Sequence, residues 1–399
     1  PPEGRLHRRG QRMRDVKTHH CAEQPQRSGR APGQPVTAST SEPPALASSP
    51  RAALDAAARA GLYRTEHEHG SCGVALIADT NGHASHRVVN QGLSALARMS
   101  HRGAVGADPL DGDGAGVMLQ IPDRLLREDL QRDALYGQLG GLRGDPIEAV
   151  LPQPGHYAVA MCMMATDHDL RALQRATLER IATAHGMKVT AWRDVPVHRR
   201  HLGVFSTANQ PHHAQAFITW DAIATSESDD ADERALRLRL VRIRRAATAS
   251  IDGQPTMYIA SLCNRTLVYK GLVVPERLGR YFVDLGDQRC VSGFIVVHQR
   301  FSTNTAPAWR RAHPFRSIAH NGEINTRRGN RAWMKARESD LKAYFPTPVL
   351  EPDGSDSADL DTAFELLLAS GRSPAHVMRM LMPPAWQERA DLSPELRAF

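Results

Sequence analysis

Apolar residues along this chain gather into short runs, and the runs begin only near residue 73. Val74–Ala78 has the length and composition of a strand. Val88–Met99 carries Val89, Leu93, Leu96 and Ala97 at helical spacing, and Val117–Ile121 returns to strand character. Tyr157–Met164 is apolar without a break, the pattern of a strand covered on both faces. Leu170–Ala184 reads as an amphipathic helix ended by Gly186, followed by strand candidates at Val189–Val195 and Ala214–Trp220. Residues 226–232 read as an acidic solvent loop. Leu236–Ala247 reads as a basic helix whose Arg237, Arg239, Arg242, Arg244 and Arg245 form a solvated face. Thr256–Leu262 and Thr266–Leu272 flank Cys263-Asn264-Arg265, a hairpin signal. Phe294–His298 is a further buried strand, and Leu360–Ala369 a helical run. No repeat at solenoid periods is visible. Many short strands, several not alternating, with helices between them predict stacked sheets covered by helices on their outer faces.

Residues 1–50 break this pattern. They hold eight of the 26 prolines among Ser, Gly, Gln and Arg, show no periodicity, and read as disordered. Residues 51–62 are compatible with one short helix. Eight Lys/Arg against four Asp/Glu in residues 1–50 place about half of the formal +7 charge there, so basicity says little about the packed part. Aromatics at 5% argue against a base-stacking nucleic-acid surface. No apolar run reaches membrane-spanning length. The five cysteines, Cys21, Cys72, Cys162, Cys263 and Cys290, include no C-x-x-C pair, which excludes a disulfide framework and fits a reducing cytoplasm. His67, His69 and Cys72 match no common zinc pattern. The first residue is proline, so the chain reads as a fragment or a processed product.

Four polar groupings carry candidate chemistry. Cys72-Gly73 opens the first strand. Alone, Cys72 reads as a small core residue; freed at an amino terminus, it joins a thiol to its own amine as base. A glycine-rich stretch runs from His101-Arg102-Gly103-Ala104 through Asp111-Gly112-Asp113-Gly114-Ala115-Gly116. It lacks both phosphate-binding spacings, G-x-x-x-x-G-K-S/T and G-x-G-x-x-G, and reads as a tight turn that could lie beside Cys72. His298-Gln299-Arg300-Phe301-Ser302-Thr303-Asn304-Thr305 leaves a buried strand. Arg300 there is placed to grip a carboxylate or to serve a structural ion pair. His320-Asn321-Gly322-Glu323-Ile324-Asn325 contains a turn dipeptide whose Asn321 amide and Gly322 N–H offer two donors to one oxygen. Gly354-Ser355-Asp356-Ser357-Ala358-Asp359 is a helix cap in which Asp356 is also placed to face an ammonium.

Together these fit hydrolysis of the side-chain amide of glutamine. Arg300 would take the α-carboxylate, Asp356 the α-ammonium, Asn321 and Gly322 the oxyanion, and Cys72 the nucleophilic role. An α-amine pKa of about 7.7–8.0 suits a base near neutrality. The same motifs resemble the glutaminase domain of the glutamate synthase large subunit, a class II, N-terminal-nucleophile glutamine amidotransferase, from about Leu62 onward.

That resemblance implies an α+β fold, a four-layer αββα sandwich of the N-terminal-nucleophile hydrolase type. It implies a leader, residues 1–71, removed ahead of a domain at 72–399 with further strands beyond Phe399. It implies catalytic Cys72, Asn321 and Gly322, substrate-binding Arg300 and Asp356, and no metal. It implies no cofactor in this segment, with FMN and an iron–sulfur cluster in the longer enzyme, an oxidoreductase. The implied partners are L-glutamine, then 2-oxoglutarate and a reductant through the missing domains, with a small subunit as a candidate. Nucleic acid and membrane are not among them, and the location is cytoplasmic. A stand-alone glutaminase, or an amidotransferase with another ammonia acceptor, would use the same residues. A basic-tailed binding module with a structural Cys72 is the non-enzymatic alternative.

Overall fold

A computed structural model describes residues 73–135, 150–221, 229–248, 257–299, 307–322, 324–342, 345–351, 354–382 and 391–398. The expected leader at 1–71 and the helix read at 51–62 lie outside the described residues, as do Cys72 and Arg300. Among the described residues, eight strands form two antiparallel sheets of four. The first contains β1 (Gly73–Ala78), β2 (Ala115–Gln120), β7 (Thr266–Gly271) and β8 (Phe294–Gln299), in the order β1-β8-β2-β7. The second contains β3 (Tyr157–Met164), β4 (Lys188–Asp194), β5 (His212–Thr219) and β6 (Tyr258–Cys263), in the order β4-β5-β3-β6.

The apolar run at 157–164 becomes β3 with every residue buried, because both of its faces are covered. Ala158, Ala160, Cys162 and Met164 pack against Leu178 and Ile181 of helix α3 (His168–Ala184) and against Leu236, Leu240 and Ile243 of helix α4 (Asp229–Thr248). Small residues on that face let the two helices approach closely. Tyr157, Val159, Met161 and Met163 point the other way, into a cluster with Val117, Leu119, Leu267, Tyr269, Ile295 and Val297 of the first sheet. Helices α1 (His86–Arg98) and α2 (Asp123–Leu135) add Val88, Val89, Leu96, Leu125, Leu126 and Leu130 to it. Burying one such side chain contributes about 1.5–3 kcal/mol, against about 0–1 kcal/mol for an exposed ion pair, so apolar packing holds the sheets together. The later helices are α5 (Arg327–Ala336), α6 (Asp356–Ala369) and α7 (Pro374–Leu381). Among the described residues no helix is long and apolar enough to cross a membrane.

One charge sits between the layers. Arg193 of β4, 3% exposed, donates to Asp129 of α2 at 2.6 Å, Asp284 at 2.7 Å and Gln215 of β5 at 2.9 Å. The Tyr269 hydroxyl of β7 donates to the same Asp284 at 2.8 Å. A buried guanidinium with two carboxylates is tolerated only when its donors are matched in this way.

Three readings of the sequence are corrected. The Cys263-Asn264-Arg265 turn closes no hairpin: β6 pairs with β3 and β7 with β2, so the turn carries the chain from one sheet to the other. The arginines of α4 do not all form a solvated face: Arg237, Arg239 and Arg242 are half-buried. Arg244 and Arg245 are buried, the first bonded to Glu365 of α6, the second to the Pro348 carbonyl. Residues 229–232 are the first turn of α4 rather than loop.

His213 of β5 yields a prediction. It is 3% exposed, its ring lies 5.2 Å from Phe282 and 5.4 Å from Trp309, and neither ring nitrogen has a hydrogen-bond partner among the described residues. Burial pushes its pKa from 6.5 down to about 3. Across that window the unfolded chain holds a proton here that the folded chain lacks, so stability falls as pH falls. His213→Leu should remove one proton from the slope of stability against pH, about 1.4 kcal/mol per pH unit. Urea-denaturation free energies between pH 6.5 and 4 measure it; an unchanged slope would show that the folded protein protonates His213.

Candidate functional site

The site is organised at one end of the first sheet. There β8 ends in Gln299, which pairs with Gly73 of β1 on one side and Ala115 of β2 on the other. Cys72 and Arg300 are the next residues along the chain from Gly73 and Gln299, and both lie outside the described residues. The glycine-rich stretch packs at this end. Gly103 has no room for a side chain: a Cβ there would lie 1.5 Å from Nε2 of the buried Gln299. The stretch is closed by its own bonds, with Asp113 Oδ2 accepting from the Ala104 N–H at 3.0 Å and the Asp111 carbonyl from the Gly106 N–H at 2.6 Å. The expected tight turn is therefore present, against Gln299, the strand partner of Gly73.

One residue back from that end, Val74, His298, Gly116 and Lys270 align across the four strands. They lie on the face opposite Ile295, Val297 and Val117, by the alternation of a strand. The segment 309–322 crosses this row. A Cβ on Gly116 would lie 2.3 Å from the His313 carbonyl, so glycine is what lets the segment touch the sheet. The His298 and His313 rings stack at 4.4 Å and 24°, and His313 meets Phe315 at 4.7 Å and His320 at 5.3 Å. Burial, reinforced by His298, His320 and Lys270, drives the His313 pKa well below the ordinary imidazole value. Lys270 is 1% exposed, with Nζ 4.1 Å from the Phe315 ring centroid and 3.3 Å from the Tyr258 hydroxyl. Burial, with Arg316 adding to it, pushes its pKa down to about 7.

The same segment carries Asn321 and Gly322. His298 Nε2 lies 2.8 Å from the His320 carbonyl, and His320 Nδ1 lies 3.0 Å from the Gly322 carbonyl. Gly322 is exposed, with nothing among the described residues within 4 Å of where a Cβ would be. Asn321 is half-buried, and its Oδ1 is buried without a hydrogen-bond partner among the described residues. Upstream, the segment is bolted to α6. Asp361, fully buried, accepts the Ser317 N–H at 2.7 Å and the Ile318 N–H at 3.2 Å, and pairs with Arg316 at 2.7 Å. Glu365, one turn on, accepts from Arg316 at 2.9 Å and from Arg244.

Asp356 is the first residue of that helix. Ser355 caps it as the sequence predicts, accepting the Ala358 N–H at 3.2 Å, and Asp356 Oδ1 accepts the Ser357 N–H at 2.8 Å. Asp356 lies on the wall of a cavity of about 370 Å³ with Ile324, Arg327, Arg331 and Asp359. Asp359 is held there by Arg327 at 3.1 Å and Arg331 at 2.6 Å. Asn321 and Gly322 do not line this cavity. The structure thus ties both the Asn321-Gly322 segment and Asp356 to α6.

Sequence reading missed the supporting residues: His313, Lys270, Arg316, Asp361 and Glu365. A signal existed for two kinds. Lys270 interrupts an apolar strand, and Asp361 and Glu365 stand four apart within an apolar helix, the spacing that puts both on one face. Nothing local marks His313 or Arg316.

Comparison with known proteins gives a consistent result. The family model for class-II glutamine amidotransferases matches residues 72–399. The chain is 39% identical over 353 residues to the NADPH glutamate synthase large chain of Bacillus subtilis (strain 168), covering 85% of this chain and 21% of that protein. It is 38% identical over 347 residues to the NADH glutamate synthase of Schizosaccharomyces pombe, covering 85% and 16%. It is 38% identical over 345 residues to ferredoxin-dependent glutamate synthase 2 of Synechocystis sp., covering 83% and 20%. The chain thus matches about a fifth of the length of these curated relatives.

The bolt at Asp361 is testable. Asp361→Ala leaves two backbone N–H groups and Arg316 without their acceptor, and should cost about 3–5 kcal/mol of stability. The double variant Arg316→Met/Asp361→Leu should cost less than the two single losses added together. Urea denaturation of the unsubstituted protein, Asp361→Ala, Arg316→Met, Asp361→Leu and the double variant measures both; additive losses would mean that the pair does not act as a unit.

Proposed function

The chain belongs to the class-II glutamine amidotransferases, and on that premise we propose that it hydrolyses the side-chain amide of L-glutamine to glutamate and ammonia with Cys72 as an amino-terminal nucleophile. The observation that carries this reading is the family match itself, whose span begins at Cys72. The register of Gly73 against Gln299 supports it, since the residues adjoining Cys72 and Arg300 are strand partners.

In the proposed sequence, residues 1–71 are removed and the Cys72 α-amine accepts the thiol proton. The thiolate forms a bond to the glutamine amide carbon, whose C=O electrons move to oxygen. The Asn321 amide and the Gly322 N–H donate to that oxyanion. Collapse breaks the C–N bond as the α-ammonium returns its proton to the leaving nitrogen, releasing ammonia and leaving a thioester. Water then attacks the thioester, the amine again takes the proton, and glutamate leaves with the thiol restored. Arg300 grips the substrate carboxylate and Asp356 its ammonium. The proposed architecture is the four-layer αββα arrangement of N-terminal-nucleophile hydrolases, and the proposed location cytoplasmic.

The three relatives support glutamate synthase as the setting, and 2-oxoglutarate as the acceptor of the ammonia, over a stand-alone glutaminase. Reductant, FMN, an iron–sulfur cluster and a small subunit would then belong to parts of the protein outside this match. Among the described residues no group of three or more His, Cys, Asp or Glu could hold a metal ion. They do not fit an iron–sulfur cluster, and no step passes through one.

Mass spectrometry of the mature protein should find Cys72 at its amino terminus, and a glutamine-mimicking electrophile should label it. Cys72→Ala should lower glutamine hydrolysis by at least about 10³-fold, and Asn321→Ala should lower kcat by about 10²–10³-fold. A mature, unlabelled protein that keeps residues ahead of Cys72 would overturn the reading.

A further inference from the structure

We propose that His298 and His320 are positioning residues for glutamine hydrolysis, each giving a ring N–H to a backbone carbonyl on either side of the Asn321-Gly322 donors. The inference rests on the amidotransferase reading above.

A backbone carbonyl only accepts, so each ring nitrogen in these contacts carries hydrogen. That sets Nε2–H on His298, 2.8 Å from the His320 carbonyl, and Nδ1–H on His320, 3.0 Å from the Gly322 carbonyl. The first carbonyl belongs to the peptide before Asn321. The second belongs to the peptide after Gly322. Between them lies one peptide unit, and its N–H is the Gly322 donor. The two imidazoles therefore hold the peptide on each side of the one that must point at the oxyanion.

Among the described residues, packing does not hold it: Gly322 is exposed and has nothing within 4 Å of where a Cβ would sit. Glycine is also the residue with the widest backbone freedom. Its orientation must come from bonds to its neighbours, and the two histidines supply them. His298 is itself fixed: it is 1% exposed, lies in β8, and stacks on His313 at 4.4 Å. His313 is pinned in turn by its carbonyl seated over Gly116. Pre-organised donors are what an oxyanion site requires, because reorientation during reaction forfeits their benefit.

The test uses steady-state glutamine hydrolysis by the full-length protein. Loosening a donor costs less than removing it, so His298→Leu and His320→Leu should each lower kcat by about 10–100-fold. KM for glutamine should stay within about threefold, since the ground-state contacts are made elsewhere. His298→Gln sets an amide N–H near the place of Nε2, and His320→Asn one near the place of Nδ1; both should recover kcat to within about fivefold of the unsubstituted protein. Leucine variants with full kcat, amide variants that restore nothing, or KM rising in step with the loss would overturn the proposal. Where His298→Leu does not fold, the half-buried His320 pair decides. Absence of glutaminase activity in the unsubstituted protein would overturn the reading itself, and this proposal with it.

Discussion

The pairing of β8 with both β1 and β2 is the constraint on which the site depends. A strand with neighbours on both sides fixes two registers at once, and a slip of one residue would turn every side chain to the opposite face. Here the correct register buries Ile295 and Val297 against the second sheet and turns His298 toward the segment that carries Asn321 and Gly322. The apolar side of β8 thus secures the polar side. Apolar burial supplies the energy, and strand alternation converts it into placement.

The charges inside the molecule follow a different logic. Arg193 and Arg244 are buried and the Arg316 side chain is 6% exposed, and each meets a carboxylate from a distant part of the chain. Removing two charges from water offsets most of what their attraction returns, so such pairs are weak sources of stability and effective sources of geometry. The geometry matters most at Asp361, where one carboxylate joins α6 to the two peptides leading toward Asn321. His313 and Lys270 beside it show the alternative outcome, in which burial, reinforced by neighbouring cationic groups, favours loss of the proton.

Much of the fold was legible from pattern alone. The run at 157–164 appears as a strand with those bounds, because an unbroken apolar octet needs both faces covered. The strands opening near 74, 117, 189, 214 and 294 and the helices near 88 and 170 follow the same periodicities. What escaped was long-range. The turn at Cys263-Asn264-Arg265 has hairpin chemistry, and turn chemistry does not say which strand will be the partner. Five arginines at helical spacing look solvated until Glu365, contributed by another helix, comes to lie beside Arg244. The polar helix α2, with the sequence DRLLREDLQRDAL, hides its buried Leu125, Leu126 and Leu130 among charges. At the site, Asn321-Gly322 and Ser355-Asp356 were readable as short chemical words. Their supports were not, since His298 and His313 gain meaning only by stacking on each other.

The topology also sets an order of events during folding. Among the described residues, 73–78 pair only with 294–299, so the first described strand meets its described partner only when the last described strand arrives. Contacts so distant in sequence are slow to form, because a long loop must close before they return any energy. The second sheet, assembled from β3 to β6, is complete earlier along the chain. On the ribosome, β1 must therefore wait unpaired, with Ala75 and Ile77, which later pack against the core, uncovered while the other described strands are made. The strand that follows Cys72, the proposed nucleophile, is thus among the last of the described strands to be locked in place.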